Sequence, residues 1–85
     1  MTFLARVHVT LKASVFDPQG ATVARALGTL GFDEVQDVRV GKYLEVRLSA
    51  SDAAAARERV SAMCETLLAN TVIERYEFTL AEEHH

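Results

Sequence analysis

Eighty-five residues suffice for one hydrophobic core and not for two, so the chain reads as one domain over 1–81 with a polar tail at 82–85. Hydrophobic residues make up 49% and charged ones 25%, with 4 Gly and 1 Pro, which excludes a disordered, collagen-like or low-complexity chain. Nine Lys+Arg against twelve Asp+Glu leave a net charge of −3; that offers no electrostatic footprint for nucleic acid or an anionic membrane and directs attention to protein partners.

From Phe3 to Leu11 the chain alternates, Phe3, Ala5, Val7, Val9 and Leu11 on one side against Arg6, His8, Thr10 and Lys12 on the other. Period two over that length predicts a half-buried strand. Asp17 then suits an N-cap and Pro18 the first turn of a helix, where its missing N–H costs nothing. Val23, Ala26, Leu27 and Leu30 keep helical spacing, and Gly31 offers a helix end. Val35 to Val40 reads as a second strand, Gly41-Lys42 as a tight turn, and Tyr43 to Leu48 as the returning strand. Ser51-Asp52 starts a second helix running through Asn70, with Ala56, Val60, Met63, Cys64 and Leu67 on one stripe. Thr71 to Leu80, with Val72, Tyr76, Phe78 and Leu80 sharing a side, closes the order as a last strand.

Strand, helix, strand, strand, helix, strand is the ferredoxin-like βαββαβ plan. It predicts an α+β fold with a four-stranded antiparallel sheet and two helices on one face. The other face would be open and of mixed polarity, with Leu4, Arg6, His8, Thr10, Lys12, Tyr43, Glu45 and Arg47. At roughly 0.05–0.15 kcal/mol per residue such a domain is marginally stable, and self-association would help it. The lone Cys64 makes no internal disulfide, no signal-peptide pattern is present, and charges interrupt every apolar run. The cytoplasm is the expected compartment and no membrane contact is expected.

The chemistry of an independent enzyme is missing from the sequence. Gly20, Gly28, Gly31 and Gly41 lack the spacing of a phosphate loop. His8, Cys64 and the terminal His84-His85 do not converge as metal ligands, and the histidine pair is also what an affinity tag leaves behind. Cys64 on an apolar stripe reads as a small core residue, and nothing places His8 beside a nucleophile. Asp33-Glu34 and Glu82-Glu83 read as solvated charge. An open four-stranded sheet can stack RNA bases, but Tyr43 is the only obvious open-face aromatic on an acidic chain. A small-molecule-binding regulatory domain is the alternative from another class. What stands out is the set Lys12, Asp17-Pro18-Gln19-Gly20, Arg39 and Gly41-Lys42-Tyr43. It is divided between two connections that this plan sets at opposite ends of the first strand, or close together only where strand lengths differ, so the sequence defines no single patch.

The same residues carry a resemblance. Val9-Thr10-Leu11-Lys12, Val15-Phe16-Asp17-Pro18-Gln19-Gly20, Leu30-Gly31-Phe32 and Val38-Arg39-Val40-Gly41-Lys42-Tyr43 with Glu45, in that order, resemble the PurS family. This is the small subunit of phosphoribosylformylglycinamidine (FGAM) synthase. Phe16 departs from the Leu that the resemblance leads one to expect there and keeps the apolar anchor. The resemblance implies a part in the fourth step of de novo purine synthesis, as a subunit without activity of its own. It implies self-association as a dimer or tetramer, and partnership with the PurL synthetase and the PurQ glutaminase. It implies no cofactor bound by this chain, ATP, Mg and glutamine being used by the whole complex. On that footing Asp17, Pro18, Gln19 and Gly20 are expected to set a docking loop, and Arg39, Lys42 and Tyr43 to offer a cation and an amphipathic ring to a partner.

Overall fold

The period-two pattern near the N-terminus becomes strand β1, Thr2–Leu11, in the computed structural model, which describes residues 1–84. Helix α1 follows at Pro18–Thr29, strand β2 at Gly41–Ser49, helix α2 at Ala53–Met63 and strand β3 at Glu74–Glu83. A π-helical turn, Cys64–Leu68, continues α2. Strand β1 is central and pairs antiparallel with both neighbours, giving the order β2-β1-β3. Alternation puts Phe3, Ala5, Val7 and Val9 out of contact with water, and α2 covers the Ala5, Val7 and Val9 positions with Val60 and Cys64. Leu44, Val46 and Leu48 of β2 and Tyr76, Phe78 and Leu80 of β3 pack against that cluster from either side. Each such apolar side chain contributes roughly 1.5–3 kcal/mol when fully buried.

The sheet has three strands, not the four of the ferredoxin-like plan. Residues 35–40 form no strand, and Gly41-Lys42 is not a hairpin turn but the start of β2, opposite Thr10 and Val9. Two polar ties explain this. The Val40 N–H donates to the Asp17 carboxylate at 2.7 Å, and Arg39 Nη2 donates to the Lys12 and Val15 carbonyls, each at 2.9 Å. The segment is thus bound to the β1–α1 connection rather than to a strand neighbour. Gly41 fits the ladder because a Cβ there would overlap the Val9 carbonyl oxygen.

The expectation of two helices on one sheet face is corrected as well. Only α2 lies on the sheet; Gly20 is the single buried residue of α1. The molecule measures 51 × 30 × 14 Å with a radius of gyration of 16.6 Å, where a compact chain of this length would give about 12 Å. A ten-residue strand spans about 33 Å, so the α1 arm projects well beyond the sheet.

Helix α2 ends at Met63, short of Asn70. The π-turn closes with the Ala69 N–H on the Cys64 carbonyl at 3.0 Å. This wider turn shifts the helical phase, and Leu67, expected on the core stripe, is 80% exposed while Ala69 is buried. The last strand begins at Glu74 rather than Thr71. Asn70 gathers the intervening turn, its carbonyl accepting from the Ile73 and Glu74 N–H groups, which leaves Val72 exposed. At the other end β3 runs on through Glu82 and Glu83, opposite Phe3 and Thr2, so those two residues of the expected tail lie in the ladder. His84 is exposed beyond it, and His85 lies outside the described residues. No described helix is long and apolar enough to cross a membrane.

Candidate assembly surface

Asp17 ties the two connections together: it caps α1 and also reaches across to residue 40. Its Oδ1 accepts from the Gly20 N–H at 2.9 Å and its Oδ2 from the Val40 N–H at 2.7 Å. Those amides, Gly20 foremost and then Val40, hold the carboxyl below the usual aspartate range, with the Arg39 guanidinium adding to the effect. Pro18 occupies the first helical turn. Gly20 is required where it stands, since a Cβ would overlap the Val38 carbonyl oxygen. Arg39 donates to the Lys12 and Val15 carbonyls and, at 3.5 Å, to that of Leu11. Lys12 enters through its backbone, its N–H also donating to the Ile73 carbonyl at 2.8 Å.

The structure therefore brings together two connections that the four-stranded plan keeps apart. Asp17, Pro18 and Gln19 share with Val40, Gly41 and Lys42 a groove of about 360 Å³ at one end of the sheet. Tyr43 does not join it. Strand alternation turns it to the open face, where its ring lies 4.8 Å from that of His8 and its hydroxyl donates to Glu45 at 3.3 Å. Partial loss of hydration and the Glu45 carboxylate push the Tyr43 phenol above its ordinary range. The same face carries Arg6–Glu45 at 3.9 Å and Arg47 forked onto Glu83.

Some features escape the sequence reading. Tyr76 donates to Glu65 at 2.9 Å, tying β3 to the π-turn. Leu30, Leu67 and Val72, which residue spacing turns toward the core, are each more than 70% exposed, as is Phe16. Among the described residues no three His, Cys, Asp or Glu side chains come together as for a metal ion, and Cys64 is buried and free.

Residues 4–82 match the family model of PurS, phosphoribosylformylglycinamidine (FGAM) synthase. This chain belongs to the PurS family. The PurS subunit of that synthase from Bacillus subtilis is 49% identical over 83 residues, 94% of each chain. Its crystal structure superposes with a TM-score of 0.85 over 94% of this chain and 99% of that one. PurS from Methanocaldococcus jannaschii, one of the subunits of formylglycinamide ribonucleotide amidotransferase in the purine biosynthetic pathway, is similar at 35% identity. Its TM-score is 0.84, over 96% of this chain and 99% of that one. A chain in the structure of PurLQS from Thermotoga maritima is 32% identical, with a TM-score of 0.87 over 95% of this chain and 99% of that one. PurS is thus an FGAM synthase subunit of purine biosynthesis, and the fold described here is that of its family.

Proposed function

We propose that the chain is the non-catalytic assembly subunit of FGAM synthase, joining the PurL synthetase to the PurQ glutaminase and aiding the passage of ammonia between them. The observation that carries this reading is the near-complete match to a chain of PurLQS. In that role it works in the cytoplasm as a dimer or tetramer of itself and binds no cofactor; ATP, Mg and glutamine serve the complex. The rationale is physical. Ammonia released at one site is protonated and lost in bulk water, so a bridge that fixes two active sites and excludes solvent raises the yield of the coupled reaction. The groove formed by Asp17, Pro18, Gln19 and Lys42 gives one contact area and Tyr43 on the open face a second. Arg39 acts from behind, by holding the loop through its carbonyl bonds.

The test is reconstitution with PurL and PurQ. Glutamine-dependent FGAM formation is expected to require this chain, while ammonia-dependent formation by PurL persists without it. Product formation by the isolated chain, or a glutamine-dependent rate unchanged when it is left out, would overturn the reading.

A further inference from the structure

Thr10 and Arg75 face each other across the β1–β3 ladder, and residues 35–40 return to the same corner of the sheet, which brings Arg39 there as well. With Leu11, Ala13 and Asp37 these three side chains line a cavity of about 230 Å³. Its positive charges are unmatched. Among the described residues the ion pairs are Arg6–Glu45, Arg47–Glu83 and His84–Glu82, so neither guanidinium of the cavity forms one. The acids close by are engaged elsewhere: Asp17 accepts from the Gly20 and Val40 amides and acts on Arg39 only at longer range, and Glu74 accepts from the Asn70 N–H at 2.7 Å. Asp37 stands in the cavity wall and pairs with neither arginine. We propose that this cavity binds a phosphoryl group, carried by a ribonucleotide or present as inorganic phosphate.

The donors fit such a ligand. One guanidinium fork already satisfies a planar carboxylate. Two forks entering from separate segments, β3 and the 35–40 return, approach from two directions, which suits the tetrahedral oxygens of a phosphate better. Arg39 uses Nη2 on the Lys12 and Val15 carbonyls, which fixes its plane and leaves Nη1 and Nε to donate. A guanidinium held in this way loses little freedom when it binds. Thr10 adds a hydroxyl, since its methyl is the branch turned to Gly41 on the β2 side while Arg75 lies on the β3 side. Two cations lining one cavity repel each other, and an anion between them turns that repulsion into two attractions. The site stands apart from the assembly role, for it needs neither PurL nor PurQ.

Isothermal titration calorimetry of the chain at low ionic strength, where such contacts are least screened, tests the site with inorganic phosphate, adenosine monophosphate, adenosine and acetate. Phosphate and the monophosphate are expected to bind at a single site per chain, and adenosine is not. The monophosphate held about tenfold tighter than phosphate assigns the site to a nucleotide and equal affinity assigns it to inorganic phosphate, both in support of a phosphoryl site. Arg75→Gln, at an exposed side chain, should leave the circular dichroism spectrum unchanged and weaken phosphate binding about tenfold or more. Asp37→Asn should tighten it about threefold, a sign that loss of structure would not produce. No binding of either phosphate probe, an Arg75→Gln variant that binds as before, or an Asp37→Asn variant that binds no tighter would each overturn the site. Acetate bound as tightly as phosphate would give the cavity to a carboxylate of a protein partner and overturn it too. Reconstitution with PurL and PurQ decides the assembly role separately.

Discussion

Asp17 has both carboxylate oxygens engaged by backbone amides that lie far apart in sequence, Gly20 and Val40. Because those bonds favour the charged form, its folded pKa lies below the unfolded value of about 3.9. The stabilisation it supplies is complete above that unfolded value and is lost as pH falls through the lower, folded one. Asp17→Asn is therefore expected to lower the melting temperature at neutral pH by on the order of 5 °C. The gap to the unsubstituted chain should begin to narrow below about pH 4, where the carboxyl of the unfolded chain takes up its proton first, and close as pH falls through the lower, folded pKa. Thermal melts followed by circular dichroism across that range check it, and a gap that stays constant into acid contradicts it. Cys64 makes the opposite point, since burial, with Glu65 adding, pushes its thiol above the ordinary range. The thiolate is the reactive species, so a thiol reagent is expected to label Cys64 slowly in the native chain and fully in denaturant. Rapid native labelling would show that the cluster of Val7, Val60 and Cys64 opens to water.

At the scale of elements, β1 was legible because Phe3, Ala5, Val7 and Val9 are buried while Arg6 and His8 are exposed; Leu4, expected on the open face, is buried and breaks the alternation at that end. The run Val35 to Val40, with three valines, reads as a strand but takes no strand, because Arg39 and the Val40 amide find polar partners on the β1–α1 connection. Propensity yields to tertiary ties of that kind. Helix α2 followed its stripe through Ala56, Val60 and Cys64, after which the π-turn moved Leu67 out and Ala69 in. No spacing rule contains that extra residue. Two glycines of α1 separate local from tertiary demands. A Cβ added at Gly28 would have nothing within 4 Å, so Gly28→Ala is expected to stabilise by about 0.5–1 kcal/mol through helix propensity. Gly20→Ala meets the Val38 carbonyl and is expected to cost about 1–3 kcal/mol. Urea unfolding of both variants compares them, and equal effects would mean that the arm is not held at its root as described.

For the whole molecule, the candidate residues can be named from sequence but not their grouping. Asp17, Pro18, Gln19 and Lys42 share one groove only because residues 35–40 return along the α1 connection instead of pairing as a strand. Tyr43 departs from Lys42 for an equally simple reason, since neighbours in a strand point to opposite faces, and its ring lies tilted against that of His8 on the open side. A flat subunit, 14 Å in its thin dimension, thereby presents Lys42 and Tyr43 to different surroundings. If it bridges two larger subunits, these substitutions should be separable. Lys42→Ala is expected to weaken binding to one partner about tenfold and leave the other unchanged, and Tyr43→Ala to do the reverse. Ammonia-dependent turnover should stay constant, since neither side chain touches a reacting group in this reading. Titrating each variant against PurL and PurQ separately measures the split. Equal weakening of the same partner by both would place the two residues on one contact and remove the argument that opposite faces of the sheet serve opposite neighbours.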